Sequence, residues 1–303
     1  MTKKNLPASV QARLMNQARE TQRPFQELLQ YYAMERFLYR LSSSPHRARF
    51  VLKGGLMLHV WKAPLARVTR DVDLLGRLEN SLAVVGRTIR EVCVTEVEPD
   101  GLLFAPDSLT VEHIHEAAES PGVRVRFTGL LGKVRLGMQL DIGFGDVVVP
   151  GPVPLVYPTL LDLPAPSLEG YPRETVIAEK FQAMVFLGAL NSRMKDFYDI
   201  WLLSRRFDFD GAVLTRAVAA TFARRETRLE PAPLAFTKDF VGGAHARVGW
   251  SAFRKKSGLL NAPEDMGAVV EALAAFLGPV ASACQEGRSF DRRWPAGGPW
   301  SGP

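Results

Sequence analysis

The chain is short of cysteine. Its 303 residues hold two, Cys93 and Cys284, far apart and without metal-ligand spacing. That excludes a disulfide framework and a zinc ribbon, and both thiols read as incidental residues of a reducing compartment. The N-terminus, Met1-Thr2-Lys3-Lys4-Asn5, leads into no apolar signal segment, and no apolar run approaches the length of a membrane span. A cytoplasmic protein with no membrane partner is the expectation. No internal repeat is present. Nor is there an excess of charge: 23% of residues are charged and 47% hydrophobic, enough to bury one large core or two smaller ones.

The net charge of +6 is unevenly placed. Residues 1–53 carry ten Lys/Arg against three Glu, and residues 216–256 carry nine against three acids. The remainder is correspondingly acidic. Two basic wings around an acidic centre suit a polyanion such as RNA, whose phosphates supply most of the affinity, although Arg-rich helices also serve as plain solvated surface.

What is there in strength is one stretch, Phe50 to Leu75. A short apolar run (Phe50, Val51, Leu52) turns on Gly54-Gly55, an amphipathic segment runs from Leu56 to Trp61, and Thr69 to Leu75 alternates as a strand does. Alternation places Thr69, Asp71 and Asp73 on one face. Neighbouring carboxylates repel unless a cation sits between them, and hard oxygen ligands select Mg²⁺ or a similar ion such as Mn²⁺, commonly shared with substrate phosphates. A glycine pair ahead of a helix offers bare N–H groups to a phosphate. Taken singly, Asp-x-Asp is equally a solvated strand edge, and Gly-Gly equally a turn.

Ahead of this stretch, helices are predicted from Ser9 and from Pro24, the latter closed by Ser42-Ser43-Ser44-Pro45, with Arg13, Arg19, Arg36 and Arg40 off the apolar face. Behind it come a helix over Asn80 to Val92 and strands at Leu102–Phe104, Leu109–Ile114, Val123–Phe127 and Val134–Ile142. His113 and His115 could share a strand face, but without further ligands they read as surface. Asp141, on the last strand, either joins Asp71 and Asp73 in a three-acid cup of the kind two-metal phosphoryl chemistry needs, or caps the turn Gly143-Phe144-Gly145-Asp146. Asp146 reads as part of that turn.

Seven prolines between Pro150 and Pro172 predict an extended linker. A helix then starts near Pro172, with Ile177, Phe181, Met184 and Val185 as its stripe and Lys180 at the margin. Such a lysine either snorkels or reaches into a cleft to hold phosphates. Asp196 and Asp199 share a face at the start of the next helix, where acids may also just complement the dipole. Helices are expected over Asp210–Arg224 and Ala262–Leu277. Residues beyond Gly287, rich in Pro and Gly, are expected to lack structure despite two Trp.

Four segments together carry a resemblance. Leu52-Lys53-Gly54-Gly55, Thr69-Arg70-Asp71-Val72-Asp73-Leu74, Tyr171-Pro172 with Glu174-Thr175-Val176-Ile177-Ala178-Glu179-Lys180, and Arg193-Met194-Lys195-Asp196-Phe197-Tyr198-Asp199-Ile200 resemble, in order, the signatures of the AbiEii/AbiGii-type (MenT-like) toxin nucleotidyltransferases, of the polymerase-β-like superfamily. Leu140 to Asp146 is also similar to members, which favours Asp141 as third ligand. Leu56 departs from the small hydroxyl residue often found there, which removes one side-chain contact and leaves the backbone contacts intact.

The resemblance implies an α/β (α+β) fold: a nucleotidyltransferase core with a small mixed sheet and helical lead-in over 1–150, a mainly helical domain over 151–286, and a tail over 287–303. It implies a type IV-like toxin, with a partner antitoxin, that moves a nucleotide from an NTP to an RNA, foremost the tRNA 3′ end, and so blocks translation. Asp71, Asp73 and Asp141 would hold metal, and Asp141 would also help deprotonate the acceptor hydroxyl. Lys180 would offset phosphate charge, and Asp196 would orient Lys180 or the hydroxyl. Gly54, Gly55, Thr69, Arg70, Lys195 and Asp199 would complete the nucleotide site. Transfer to a protein or small molecule is the alternative among enzymes, and a nucleotide- or RNA-binding module without chemistry the alternative outside them.

Overall fold

The computed structural model describes residues 5–63, 67–114, 122–230, 233–259 and 262–302, with the side chain of residue 238 left aside. Asn5 caps α1 (Leu6–Thr21) by accepting from the Ala8 amide, and Val10, Leu14 and Ala18 form its buried stripe. α2 (Phe25–Ser43) buries a wider face that includes Leu28, Tyr32, Phe37 and Leu41. Two of the arginines expected to point outward lie inside instead. Arg40 donates to both oxygens of Asp100, at 2.7 and 3.1 Å, and Arg36 lies 2.8 Å from Glu35. Charges this deep persist only when paired, so the basic wing at 1–53 offers solvent less than its composition suggests. Residues 1–4 of that wing lie outside the described residues.

The sheet begins with β1 (Phe50–Lys53). Gly54–Leu56 forms a 3-10 turn and α3 (Met57–Val60) a single helical turn, so the amphipathic segment is far shorter than a full helix. After β2 (Val72–Gly76) and α4 (Leu82–Cys93) come β3 (Leu102–Ile114), β4 (Gly122–Leu131) and β5 (Val134–Phe144). β3 unites the two strands expected over 102–114, with an irregularity between Ala105 and Thr110. His113 is exposed on it, and His115 lies outside the described residues. The proline-rich stretch is not a bare linker: it carries β6 (Val153–Val156) and β7 (Ser167–Gly170), which pair with each other and with β1. Pro154 is tolerated because β6, in which it lies, is the outermost strand of the sheet. The strand order is β3-β4-β5-β2-β1-β7-β6, a mixed sheet in which β2 runs parallel to β5 and antiparallel to β1.

A largely helical half follows: α5 (Arg173–Leu187), α6 (Met194–Arg206), β8 (Phe209–Asp210), α7 (Gly211–Arg224), α8 (Lys238–Gly242), α9 (Ala244–Ser257), α10 (Met266–Glu286) and β9 (Arg293–Trp294). Strand alternation splits the core in two. Phe50, Leu52, Val72 and Leu74 join the N-terminal helices on one face of the sheet, while Val51 and Leu75 join the C-terminal helices on the other. α10 is long and apolar enough to cross a membrane by length and composition, contrary to expectation, yet it turns Val269, Leu273, Phe276 and Val280 into the helical core. The tail is also ordered rather than loose. β9 pairs with β8, Trp294 is buried, and Trp300 stacks on Phe276 with ring centroids 5.7 Å apart. Its tryptophans supply apolar area that outweighs the flexibility of Pro and Gly around them.

Candidate active site

Register brings the acids together. Asp73 on β2 pairs across to Asp141 on parallel β5, and on its other side to Lys53 on β1. Asp71 stands just before β2, where Thr69 Oγ1 donates to its Oδ1 at 2.8 Å and the Thr69 amide donates to the Tyr31 hydroxyl at 3.0 Å. Oxygens of Asp71, Asp73 and Asp141 all lie within 4.8 Å of one another. The glycine pair allows this closeness. Gly54 has φ +69°, and a Cβ there would stand 1.8 Å from Asp73 Oδ2, while one on Gly55 would stand 2.8 Å from Thr69 Oγ1. Only bare backbone fits against the carboxylates. Gly54-Gly55 therefore acts here through close approach more than through the brief helix behind it.

The cup is electrostatically unbalanced. Burial, then Asp71 and Asp141, push the Asp73 carboxyl up to about 6, against the pull of Lys195 and Lys53. Three hard-oxygen donors around one point, one of them reluctant to ionise beside its neighbours, fit a divalent cation that would remove the repulsion. Asp141 has a cross-strand partner that sequence reading missed. Arg124 on β4 donates Nε to Oδ1 at 2.7 Å and Nη2 to Oδ2 at 2.8 Å, and Gln139 Nε2 donates to Oδ2 at 3.2 Å, so Oδ1 is the oxygen with a lone pair left for a further ligand.

A groove lies between the cup and the helical half, lined by cations from both sides. Lys53, Arg67, Arg124, Lys180, Arg193 and Lys195 line it with the three acids, Gly54 and Gly55. Lys180 on α5 sits 2.6 Å from Asp196 and 2.9 Å from Asp199. Burial works against its charge, but the two aspartates outweigh that and raise its pKa. Asp196 is 1% exposed, lies behind the groove wall and accepts from Lys180. Burial pushes its carboxyl up, yet Lys180, Arg193 and Lys195 hold it well below the usual carboxylate range. Arg67 brackets Asp199, with Nε and Nη2 each 3.0 Å from a carboxylate oxygen. Lys195 is exposed and, among the described residues, makes no ion pair. Arg70, expected in the nucleotide site, is exposed and lines a neighbouring hollow with Gln30 and Lys256.

A second cluster adjoins the groove. Lys53 Nζ donates to Asp146 at 2.7 Å and lies 3.2 Å from Glu179, and Arg225 lies 3.1 Å from Asp146 and 3.4 Å from Glu179. Burial pushes Glu179 up, Asp146 adds to that, and Lys53 and Arg225 oppose it. For Asp146 the same two cations overcome burial and hold the carboxyl well down. Asp146 is thus a buried link between the sheet and the helices rather than a turn residue. Arg225 is likewise an internal residue, not part of a basic surface wing. Lys53, Glu179 and Arg193 stood inside the quoted motifs and could have been taken from them. Arg67, Arg124 and Arg225 carry no local signal, because only long-range packing brings them in.

A family model described as nucleotidyl transferase AbiEii toxin, type IV toxin–antitoxin system, matches residues 36–275. No curated protein matches the chain. Two solved structures from Helicobacter pylori are similar in outline. One, a candidate nucleotidyltransferase, is 15% identical, with 88% of this chain and 99% of that chain covered and a TM-score of 0.44. The other, JHP933, is 17% identical, with 86% and 93% covered and a TM-score of 0.40.

Proposed function

Because the chain belongs to the AbiEii nucleotidyltransferase toxin family of type IV toxin–antitoxin systems, we propose that it transfers a nucleotide from an NTP to the 3′ end of an RNA, foremost tRNA, and thereby blocks translation. The observation that carries this reading is the groove itself. Three carboxylates with oxygens within 4.8 Å of one another form one wall, and Lys180, Arg193 and Lys195 stand on the helical side. A divalent metal, Mg²⁺ or Mn²⁺, held by Asp71, Asp73 and Asp141 would supply Lewis-acid stabilisation of the triphosphate and of the attacking oxygen.

The chain's own residues do the rest. The terminal hydroxyl of the acceptor attacks the α-phosphorus, the bond to the β-phosphate oxygen breaks, and pyrophosphate leaves. Asp141, held in place by Arg124, orients that hydroxyl and receives its proton. Lys180, fixed between Asp196 and Asp199, is a preorganised positive charge facing the phosphates, and such charges cost no reorganisation as the transition state forms. Thr69 steadies Asp71 through its hydroxyl. The family implies an antitoxin partner, and a cytoplasmic site of action follows from tRNA as acceptor.

The test is incubation of the protein with each labelled NTP, Mg²⁺ and total RNA. Label is expected on an RNA of tRNA size. Label on protein or on a small molecule alone would replace the RNA acceptor by that class, and no label with any NTP would leave a binding module without chemistry.

A further inference from the structure

The groove does not end at Lys195. Arg67, Arg193 and Lys195 also line a second hollow, whose far wall is α9. Val68, Lys256 and Ser257 pass from that hollow into a third, which reaches Arg70 and Gln30 beside α2. Three adjoining hollows therefore form one track that opens at Arg70 and finishes at the acid cup. Its polarity alternates. Exposed cations stand at Arg70, Lys256 and Lys195, and between the last two lies an apolar seat made by Met194, Gly249, Ala252 and Phe253. Phe253 is held rigid by Trp250 and Tyr198, with ring centroids 5.7 and 5.9 Å away. Across the mouth, Gln30 Nε2 reaches the carbonyls of Gly137 at 3.0 Å and Arg70 at 3.4 Å, tying α2 to the sheet there.

We infer that this track holds the single-stranded 3′ segment of an RNA acceptor, with phosphates at Arg70, Lys256 and Lys195, a base on the Phe253–Met194 seat, and the terminal hydroxyl in the cup. The inference rests on the RNA-transfer reading above and adds the path by which the acceptor arrives. Alternation of cations with an aromatic seat is the arrangement that binds single strands, because the backbone is polyanionic and every base has a face that can stack. The end of the track selects further. A strand's last phosphate can stop at Lys195 and send only its neutral hydroxyl on to the cup. An acidic peptide would bring its own carboxylates against the cup.

Two variants on the exposed face of α9 test this without touching the catalytic groove: Lys256→Glu, which reverses a charge, and Ala252→Trp, which fills the seat. Transfer and filter retention are measured with a short single-stranded RNA bearing a free 3′ hydroxyl, beside the same RNA in a blunt duplex. The wild type should prefer the single strand. Each variant should raise the apparent KM for it about tenfold and leave the KM for NTP and the melting temperature unchanged, and Lys256→Glu should lower the salt slope of retention by about 0.7 per lost phosphate contact. Unchanged RNA KM in both variants overturns the track while transfer by the wild type stands. A raised NTP KM with the RNA KM unchanged gives the seat to the incoming base and overturns it too. If the wild type retains RNA but labels none, and Lys256→Glu loses retention, the track stands and the transfer reading falls. If the wild type neither retains nor labels RNA, both fall.

Discussion

Two charge clusters border one groove, and they are built on opposite plans. In the cluster of Lys53, Asp146, Glu179 and Arg225, two cations meet two acids and each charge has a partner within 3.4 Å. In the cup, three acids converge, and burial together with the neighbouring Asp71 and Asp141 pushes Asp73 up to about 6. Both are half-buried and both join distant parts of the chain. The balanced one is scaffold. The unbalanced one carries more negative charge than its partners offset, and the proposed metal site rests on that excess.

Removing a charge should therefore have opposite consequences in the two places. The largest effect on activity is expected from Asp71→Ala, which should cost several kcal/mol of charge stabilisation, roughly 10³ in transfer rate. Stability without metal should hold or rise, since a repelling group is gone. Transfer assays beside thermal melts in EDTA check both halves, and a destabilised Asp71→Ala would mean that the cup is scaffold after all.

Lys180→Ala comes next, at about 10² in rate. It also strips one partner from each of two buried aspartates, so activity and stability fall together. The double variant Lys180→Met with Asp196→Asn separates them: melting should return towards wild type while transfer stays low. Recovery of transfer with stability would reduce Lys180 to a structural cation.

In the balanced cluster, Asp146→Ala leaves Lys53 and Arg225 facing each other across a gap and should cost about 3–5 kcal/mol in urea unfolding. Adding Lys53→Met should give some of that back. Additive losses instead would show that the two residues do not act as a pair.

The smallest expected effect is on pH. Asp146 and Asp196 are held below their ordinary values, so the stability they contribute is fully present above the unfolded carboxylate pKa of about 3.9 and is lost as pH falls towards their folded values. Asp146→Asn should make the acid limb shallower by about one proton, ~1.4 kcal/mol per pH unit at most. Urea titrations at stepped pH below about 4 would register the change, and an unaltered limb would place the pairing elsewhere.

Much of this was legible in the chain itself, and the exceptions share a cause. Asp71, Asp73 and Lys180 announce themselves because strand and helix periodicity, together with the motifs, place them. The face of Asp141 follows from the alternation of β5, and its choice over a turn cap from the likeness of Leu140 to Asp146 to family members. Arg124 and Arg67 could not be found that way. Their roles depend on which strand lies next to which, and nothing local in Val123–Phe127 or Ala66–Val68 encodes a partner. Arg36, Arg40 and Arg225 misled for the same reason: composition counts charges but does not see the acids that fold against them. The tail misled differently. Pro and Gly around Trp294 and Trp300 suggest looseness, yet the two rings cover Phe276 and anchor the segment.

The parallel register that sets Asp73 beside Asp141 also governs when the enzyme comes into being. Parallel neighbours cannot be joined by a tight turn, so this contact spans the intervening helix and the β3–β4 hairpin and needs all of them in the chain first. Lys180 arrives from farther along the chain still. A nascent or clipped fragment can hold Gly54-Gly55 and the first two aspartates and still lack Asp141 and Lys180, because the proposed centre is a property of the finished topology and not of any segment. For a toxin this is a form of safety in time: the poison is absent until the chain has closed.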